Sequence, residues 1–207
     1  MSEEGVIQFR CELGGRQRPV TSSELRELIV WRQIAGRLSL LGQEPDRYGG
    51  YAFGNISERR GQGFEISASQ SAHLDCTDPR AWCQVTTVDF DGFSLSAEGD
   101  LPPSSESITH AMLYAADPDI GGVIHAHSPA LWQRAEELGM PTTAADVPYG
   151  TPALGDAVRG LLAAHPARPL TFATLGHEDG IFTVAPDLHA AGAQLLADYA
   201  RALAATL

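Results

Sequence analysis

Lysine is absent: all 14 basic residues in this chain of 207 are arginines. Without a side-chain primary amine, Schiff-base catalysis, pyridoxal phosphate attachment and a P-loop lysine are excluded. Cysteine is scarce. Cys11, Cys76 and Cys83 are odd in number and form no CxxC pair, which argues against a disulfide framework and for reduced thiols acting as small apolar core residues. No apolar run is long enough to span a bilayer, so no membrane segment is expected. Met1-Ser2-Glu3-Glu4 is acidic and lacks the apolar stretch of a secretory signal, so the expected location is the cytoplasm. Positive charge is also in short supply. With 26 acidic residues against 14 basic ones, the net charge is −12, which argues against a nucleic-acid or anionic-membrane surface but leaves room for a local basic pocket.

What is present reads as one globular domain. Apolar residues make up 43% and charged residues 19%, and the length can enclose a substantial core. Residues 1–20 read as an extended N-terminal lead-in and residues 21–207 as the domain. Thr21-Ser22-Ser23-Glu24 offers a capping box before a helical pattern that ends near Gly42. Gly49-Gly50 opens a loop expected to hold Gly54-Asn55-Ile56-Ser57. Strands are expected at Phe64–Ser67, Gln84–Phe90 and Phe93–Ser96, with Asp91-Gly92 as a hairpin turn. Ser104 or Ser105 caps a helix to about Ala116, followed by a strand at Val123–His127. Further helices are expected at Pro129–Leu138, Pro152–Ala164 and after Pro186, and further strands at Leu170–Leu175 and Ile181–Val184. The last helix is expected to bury Leu188, Leu195, Leu196, Tyr199 and Leu203 on one stripe. Helices and strands intermix throughout, which points to α/β or α+β layering.

Seven histidines are candidates for chemistry. His125 and His127 stand two apart on an expected strand, so both rings leave one face and can converge on a divalent ion. An HxH pair alone is weak, because such a site needs a third ligand and an open position. His177 sits in the glycine-bounded turn Leu175–Gly180 and could supply that ligand, or be a surface loop histidine. His110 lies four residues after Glu106, which places both on one helix face, either as a histidine supporting a site carboxylate or as a simple polar pair. His73, His165 and His189 receive no role. The turns Gly54-Asn55 and Ser104-Ser105 could each hold an anion through backbone N–H groups, or be an ordinary turn and N-cap.

Three blocks occur in order: Gly54-Asn55-Ile56-Ser57, then Pro103-Ser104-Ser105-Glu106 with His110 and Tyr114, then Gly122-Val123-Ile124-His125-Ala126-His127-Ser128-Pro129. From about residue 22 onward the chain resembles the class II aldolase/adducin family. The resemblance implies a single three-layer α/β/α domain with a mainly antiparallel central sheet, assembled as a homo-oligomer, a tetramer, with active sites at subunit boundaries. It implies His125, His127 and His177 as ligands of Zn2+ or another divalent cation, with Glu106 as the catalytic carboxylate. It further implies Gly54, Asn55, Ser69, Ser104 and Ser105 as the residues holding a substrate phosphate. The expected activity is carbon–carbon cleavage of a small hydroxy-carbonyl or sugar-phosphate substrate through a metal-stabilised enediolate, an aldolase-type lyase. The alternatives are a decarboxylase, dehydratase or epimerase of the same family, or a non-catalytic adducin-like module. In this family the third histidine commonly precedes a glycine directly. Here Asp179 stands before Gly180, so Asp179 competes with His177 as the third ligand. Tyr149, in Pro148-Tyr149, does not match the tyrosine that aldolases use as an acid, and Gln70 stands where aldolases often have glycine.

Overall fold

The computed structural model describes residues 6–205, so the reading of Met1 to Glu4 lies outside the described residues. In chain order the elements are β1 (Arg10–Gly14), α1 (Arg26–Arg37), β2 (Gly42–Gln43), β3 (Ala52–Phe53), β4 (Asn55–Arg60), β5 (Gly63–Ser67), β6 (Trp82–Asp89) and β7 (Ser94–Glu98). They continue with α2 (Ser107–Ala116), β8 (Gly122–His127), α3 (Pro129–Trp132), β9 (Thr142–Thr143), α4 (Pro152–Ala164), β10 (Leu170–Thr174), β11 (Gly180–Ala185) and α5 (Leu188–Ala204). Nine strands form one sheet in the order β1-β7-β6-β5-β4-β8-β11-β10-β9.

The sheet interior is antiparallel, from β7 through β10. The outermost pairing at each edge, β1 with β7 and β10 with β9, is parallel. The sheet is therefore mixed rather than uniformly antiparallel. Period-two alternation splits its side chains between two cores. Val123, Phe172, Phe182 and Val184 join α2 and α4 residues such as Ile108 and Leu154 on one face. Ile124, Ala126, Ala173 and Ile181 join Leu28, Leu131, Leu188 and Leu195 from α1, α3 and α5 on the other. With both faces covered, the central strands β8 and β11 are buried at every residue. No helix among the described residues is long and apolar enough to cross a membrane.

Several local expectations change. The extended lead-in supplies the edge strand β1. Gly54-Asn55-Ile56-Ser57 is not all loop: Gly54 turns the chain at φ +69, and Asn55 then opens β4 against β8. A Cβ at Gly54 would stand 3.0 Å from the His125 carbonyl oxygen and 3.1 Å from that of Leu40, so only glycine brings the chain this close to β8. The capping box forms, with Glu24 N–H donating to Thr21 Oγ1 and Thr21 N–H to Glu24 Oε2. It closes a turn, however, and α1 starts only at Arg26. The helix expected to run from Pro129 to Leu138 ends at Trp132, after which the chain continues in turns. Leu203 is 45% exposed because Ala202 occupies the buried position at that end of α5.

Candidate metal centre

β8 brings two imidazoles into the middle of the protein. His125 and His127 project on the face that Val123 shares with α2 and α4, and both are fully buried. In the sheet, His125 sits between Asn55 of β4 and Phe182 of β11, while His127 lies opposite Gly180. His177 arrives from the bend between β10 and β11. That bend is closed by His177 N–H donating to Thr174 O and Gly180 N–H donating to His177 O, both at 3.0 Å. At Gly180 a Cβ would stand 2.5 Å from Thr174 Oγ1 and 3.1 Å from the His177 ring, so a side chain there would push His177 away.

One nitrogen from each of His125, His127 and His177 lies within 4.8 Å of the others. Glu106, buried at the start of α2, completes the group. Its Oε1 is 3.2 Å from His177 Nδ1 and its Oε2 is 3.5 Å from His125 Nε2. Burial, reinforced by the neighbouring imidazoles, holds His125 well below the ordinary histidine range. Burial, then His177 and Arg47, does the same to His127. Both are neutral at pH 7, the form that binds a metal.

The tautomer of His125 decides what the cluster fits. Its Nδ1 lies 3.1 Å from the Ile181 carbonyl, which can only accept, so Nδ1 carries the proton. Nε2 then presents a lone pair towards the Glu106 carboxylate oxygen. Two acceptors facing each other inside a protein call for a cation between them. Three imidazoles with an adjacent carboxylate fit a divalent ion that keeps one position open.

Asp179 is engaged elsewhere. It sits at φ +61 and its Oδ2 accepts from the Tyr48 hydroxyl at 2.7 Å. That hydroxyl accepts in turn from Arg47 Nη2 at 2.9 Å, and the Tyr48 ring packs edge-on against His127 at 4.6 Å. His110 does not support the Glu106 carboxylate. Its Nδ1 bonds Ser57 Oγ at 2.6 Å, and the same oxygen lies 2.7 Å from the Tyr114 hydroxyl. Burial pushes His110 down to about 3. Tyr149, also buried, stacks on His177 with ring centroids 4.2 Å apart. Tyr48 carries no periodic or motif signal in the sequence, and nothing in the spacing of Pro148-Tyr149 marks the stacking on His177; only the fold brings the two tyrosines to the histidines.

Beside the cluster is a cavity of about 410 Å³ lined by Gly54, Asn55, Ser69, Ser104 and Ser105. All five candidate anion-holding residues thus face one space. Two of its lining residues adjoin the cluster: Asn55 is the sheet neighbour of His125, and Ser105 precedes Glu106. Ser104 Oγ accepts from the Glu106 N–H at 3.3 Å, so the serine pair and the carboxylate are held in one turn.

Residues 46–202 match the family model described as "Class II Aldolase and Adducin N-terminal domain". The chain belongs to the class II aldolase and adducin family. Among solved structures, L-fuculose 1-phosphate aldolase has a TM-score of 0.60 at 20% identity, covering 90% of this chain and 88% of that one. The L-fuculose-1-phosphate aldolase of Thermus thermophilus has a TM-score of 0.62 at 19% identity, covering 87% and 91%. At such identities the likeness shows the fold. Among curated relatives, the methylthioribulose-1-phosphate dehydratase of Gluconacetobacter diazotrophicus is 33% identical over 105 residues, 48% of this chain and 47% of that protein. The enzyme of the same name from Xanthomonas euvesicatoria is 44% identical over 45 residues, 22% of this chain and 20% of that protein. The chain thus spans half or less of the curated relatives it matches.

These relatives correct the expected carbon–carbon lyase. Both are named as dehydratases, which break a carbon–oxygen bond, and the aldolase-type reading does not stand. The physical reason is that a divalent metal beside a carboxylate can serve either cleavage. Both reactions build negative charge beside a carbonyl, so residues of a type suited to stabilising that charge do not by themselves specify the bond that breaks.

Proposed function

We propose that this family member is a divalent-metal-dependent dehydratase that removes water from a small phosphorylated hydroxy-carbonyl compound. The observation that carries this reading is the Glu106 carboxylate held at 3.2 and 3.5 Å from two imidazoles of a buried histidine cluster. The dehydratase relatives supply the direction of the chemistry.

His125, His127 and His177 would hold the ion, and Zn2+ is the one best suited to three imidazoles with one open position. When bound, such an ion supplies Lewis acidity to the substrate carbonyl oxygen. Glu106 takes the proton from the carbon beside that carbonyl through a carboxylate oxygen. The bond from the next carbon to its hydroxyl then breaks, and Glu106 returns the proton to the departing oxygen, so that one water leaves. Gly54, Asn55, Ser69, Ser104 and Ser105 hold the phosphate in the adjoining cavity and fix the distance from anchor to reacting carbons. The reading extends to a cytoplasmic homotetramer with active sites at its subunit boundaries, following the family resemblance; sedimentation tests the assembly.

Metal analysis and turnover test the reading together, with methylthioribulose 1-phosphate, the compound named for the relatives, as first substrate. About one divalent ion per chain is expected, lost in His125→Ala. Glu106→Gln is expected to keep the ion and lose about a thousandfold in turnover, within the range of a positioned general base. A metal-free wild type, or a Glu106→Gln variant that still turns over, would overturn it.

A further inference from the structure

The five candidate anion-holding residues carry no formal charge, yet the cavity they line contains a cation that this role leaves unexplained. Arg32 projects from α1 into the same cavity, and its side chain is nine-tenths buried. Its Nη2 donates to Ser71 O at 2.7 Å and to Ser71 Oγ at 3.1 Å, and its Nη1 to Ala81 O at 3.4 Å. The guanidinium also lies 5.3 Å from the Trp82 ring centroid. All these partners are neutral. No carboxylate among the described residues pairs with Arg32.

That is an unusual way to bury a charge. A guanidinium stays ionised in any protein, and its burial is offset by an anion or left costly. Elsewhere in this chain the partly buried Arg16 pairs with Glu65 and Arg168 with Asp117, while the partly buried Arg59 donates to the carbonyl oxygens of Tyr114, Asp117 and Ile120 but is less enclosed than Arg32. The chain has an excess of carboxylates to offer, at −12 overall. The cavity nonetheless excludes them. No aspartate or glutamate lines it, whereas a second arginine, the exposed Arg37, does. In the same lining, the buried Asn55 side chain has an oxygen with no hydrogen-bond partner, and turning that amide would present its N–H groups instead.

The hydrogen bonds to Ser71 and Ala81 use one N–H of Nη1 and both of Nη2. Of the five guanidinium donors, the Nε–H and one Nη1–H remain for a ligand. The contacts to Ser71 also clamp the 68–72 loop, which carries Ser69 and holds Gln70 at φ +52. Arg32 therefore both shapes the serine-lined wall and charges the space in front of it.

We propose that Arg32 is the specificity-determining residue of this cavity, supplying the counter-charge that makes it select a doubly charged phosphoryl group over a carboxylate or a neutral hydroxyl. The inference rests on the phosphorylated-substrate part of the proposed function and deepens it. It concerns binding alone, so its test needs no turnover.

The test is calorimetric titration of metal-loaded protein with inorganic phosphate, with acetate as the singly charged control. Wild type is expected to bind phosphate with at least tenfold preference over acetate, and more tightly at pH 8 than at pH 6 as the dianion fraction rises. Arg32→Gln is expected to lose about ten- to a hundredfold in phosphate affinity, the scale of a charge-assisted pair, and to lose the preference over acetate. Arg32→Lys keeps the charge without the fork and is expected to retain the preference at reduced affinity. Ser71→Ala removes one clamp contact but not the charge, and is expected to stay within threefold of wild type. Phosphate binding unchanged in a folded Arg32→Gln protein would overturn the inference. So would Ser71→Ala and Arg32→Lys both matching the loss in Arg32→Gln, which would leave Arg32 only a loop clamp. Failure here with metal content and Glu106-dependent turnover intact leaves the dehydratase standing, whereas absence of the metal refutes that reading on its own.

Discussion

The bend that delivers His177 can be broken by a single methyl group. In Gly180→Ala the new Cβ would sit 2.5 Å from Thr174 Oγ1 and 3.1 Å from the Cγ and Nδ1 atoms of His177. Gly180 faces His127 across the sheet, so the backbone cannot retreat without disturbing β8. The less constrained neighbour is the His177 ring, and relief of the contact moves it away from His125 and His127. Overpacking of this kind costs about 1–3 kcal/mol, which for a chain of this length lowers Tm by about 2–12 °C in the metal-free protein. With His177 as the proposed third ligand, its displacement adds a second loss that appears only with metal present. If affinity for the ion falls about ten- to a hundredfold, saturating metal stabilises the variant by about 1.4–2.7 kcal/mol less than wild type.

Chelator competition measures the affinity, and thermal melts with and without Zn2+ separate the two losses. Adding Thr174→Ala to Gly180→Ala removes the closer contact, so the double variant is expected to recover metal-free stability while metal affinity stays low. A Gly180→Ala protein that binds Zn2+ as tightly as wild type would refute the reasoning, because the ring would then tolerate the methyl group without moving.

Other expectations follow from the same contacts. Ser57→Ala deprives His110 Nδ1 and the Tyr114 hydroxyl of their shared partner inside the protein, and urea denaturation is expected to show a loss of about 2–4 kcal/mol. His110 is held down to about 3, below the unfolded value near 6.5. Its neutral form therefore contributes stability that is present above pH 6.5 and lost as pH falls towards 3. In the metal-free protein His110 accounts for up to about 1.4 kcal/mol per pH unit across that window, and His110→Gln is expected to flatten the slope by one proton's worth. Tyr48→Phe removes the hydroxyl donated to Asp179 and leaves that nearly buried carboxylate without it. A stability loss of about 1–3 kcal/mol in urea is expected, with metal stoichiometry unchanged if Asp179 is not a ligand.

The fold was legible where burial leaves a periodic trace. β8 reads as a strand because its apolar residues and its histidines alternate between the two cores, and α4 matches its expected span because Thr151 caps it and Pro152 starts it. β4 escaped because Asn55-Ile56-Ser57-Glu58-Arg59-Arg60 is mostly polar. Its inward positions are filled by Asn55 and Ser57, whose neighbours are His125 in the sheet and His110 on α2, so a central strand carries a surface strand's composition. The edge strand β1 escaped for the opposite reason: it is mostly exposed, and its parallel pairing with β7 depends on a segment more than eighty residues away.

The same logic separates the parts of the site. His125 and His127 announce themselves because two side chains that share one face of a strand stand two apart, and Glu106 with its serines because a helix start fixes their spacing. Arg32 has no such constraint. It reaches the cavity from α1, a helix belonging to the other core, while Ser69 and Gln70 come from the loop after β5. Nothing in the spacing of residues 32 and 71 marks a contact, and an arginine on an amphipathic helix reads as an ordinary solvent-facing residue. Only its burial among neutral partners, in a wall free of carboxylates, sets it apart. The residues proposed to hold an ion are thus written in local spacing, while the residue proposed to read the substrate's charge is placed by tertiary packing. That division also explains why the expected carbon–carbon cleavage had to be corrected: histidines and a carboxylate suited to stabilising charge leave the choice of bond to their surroundings.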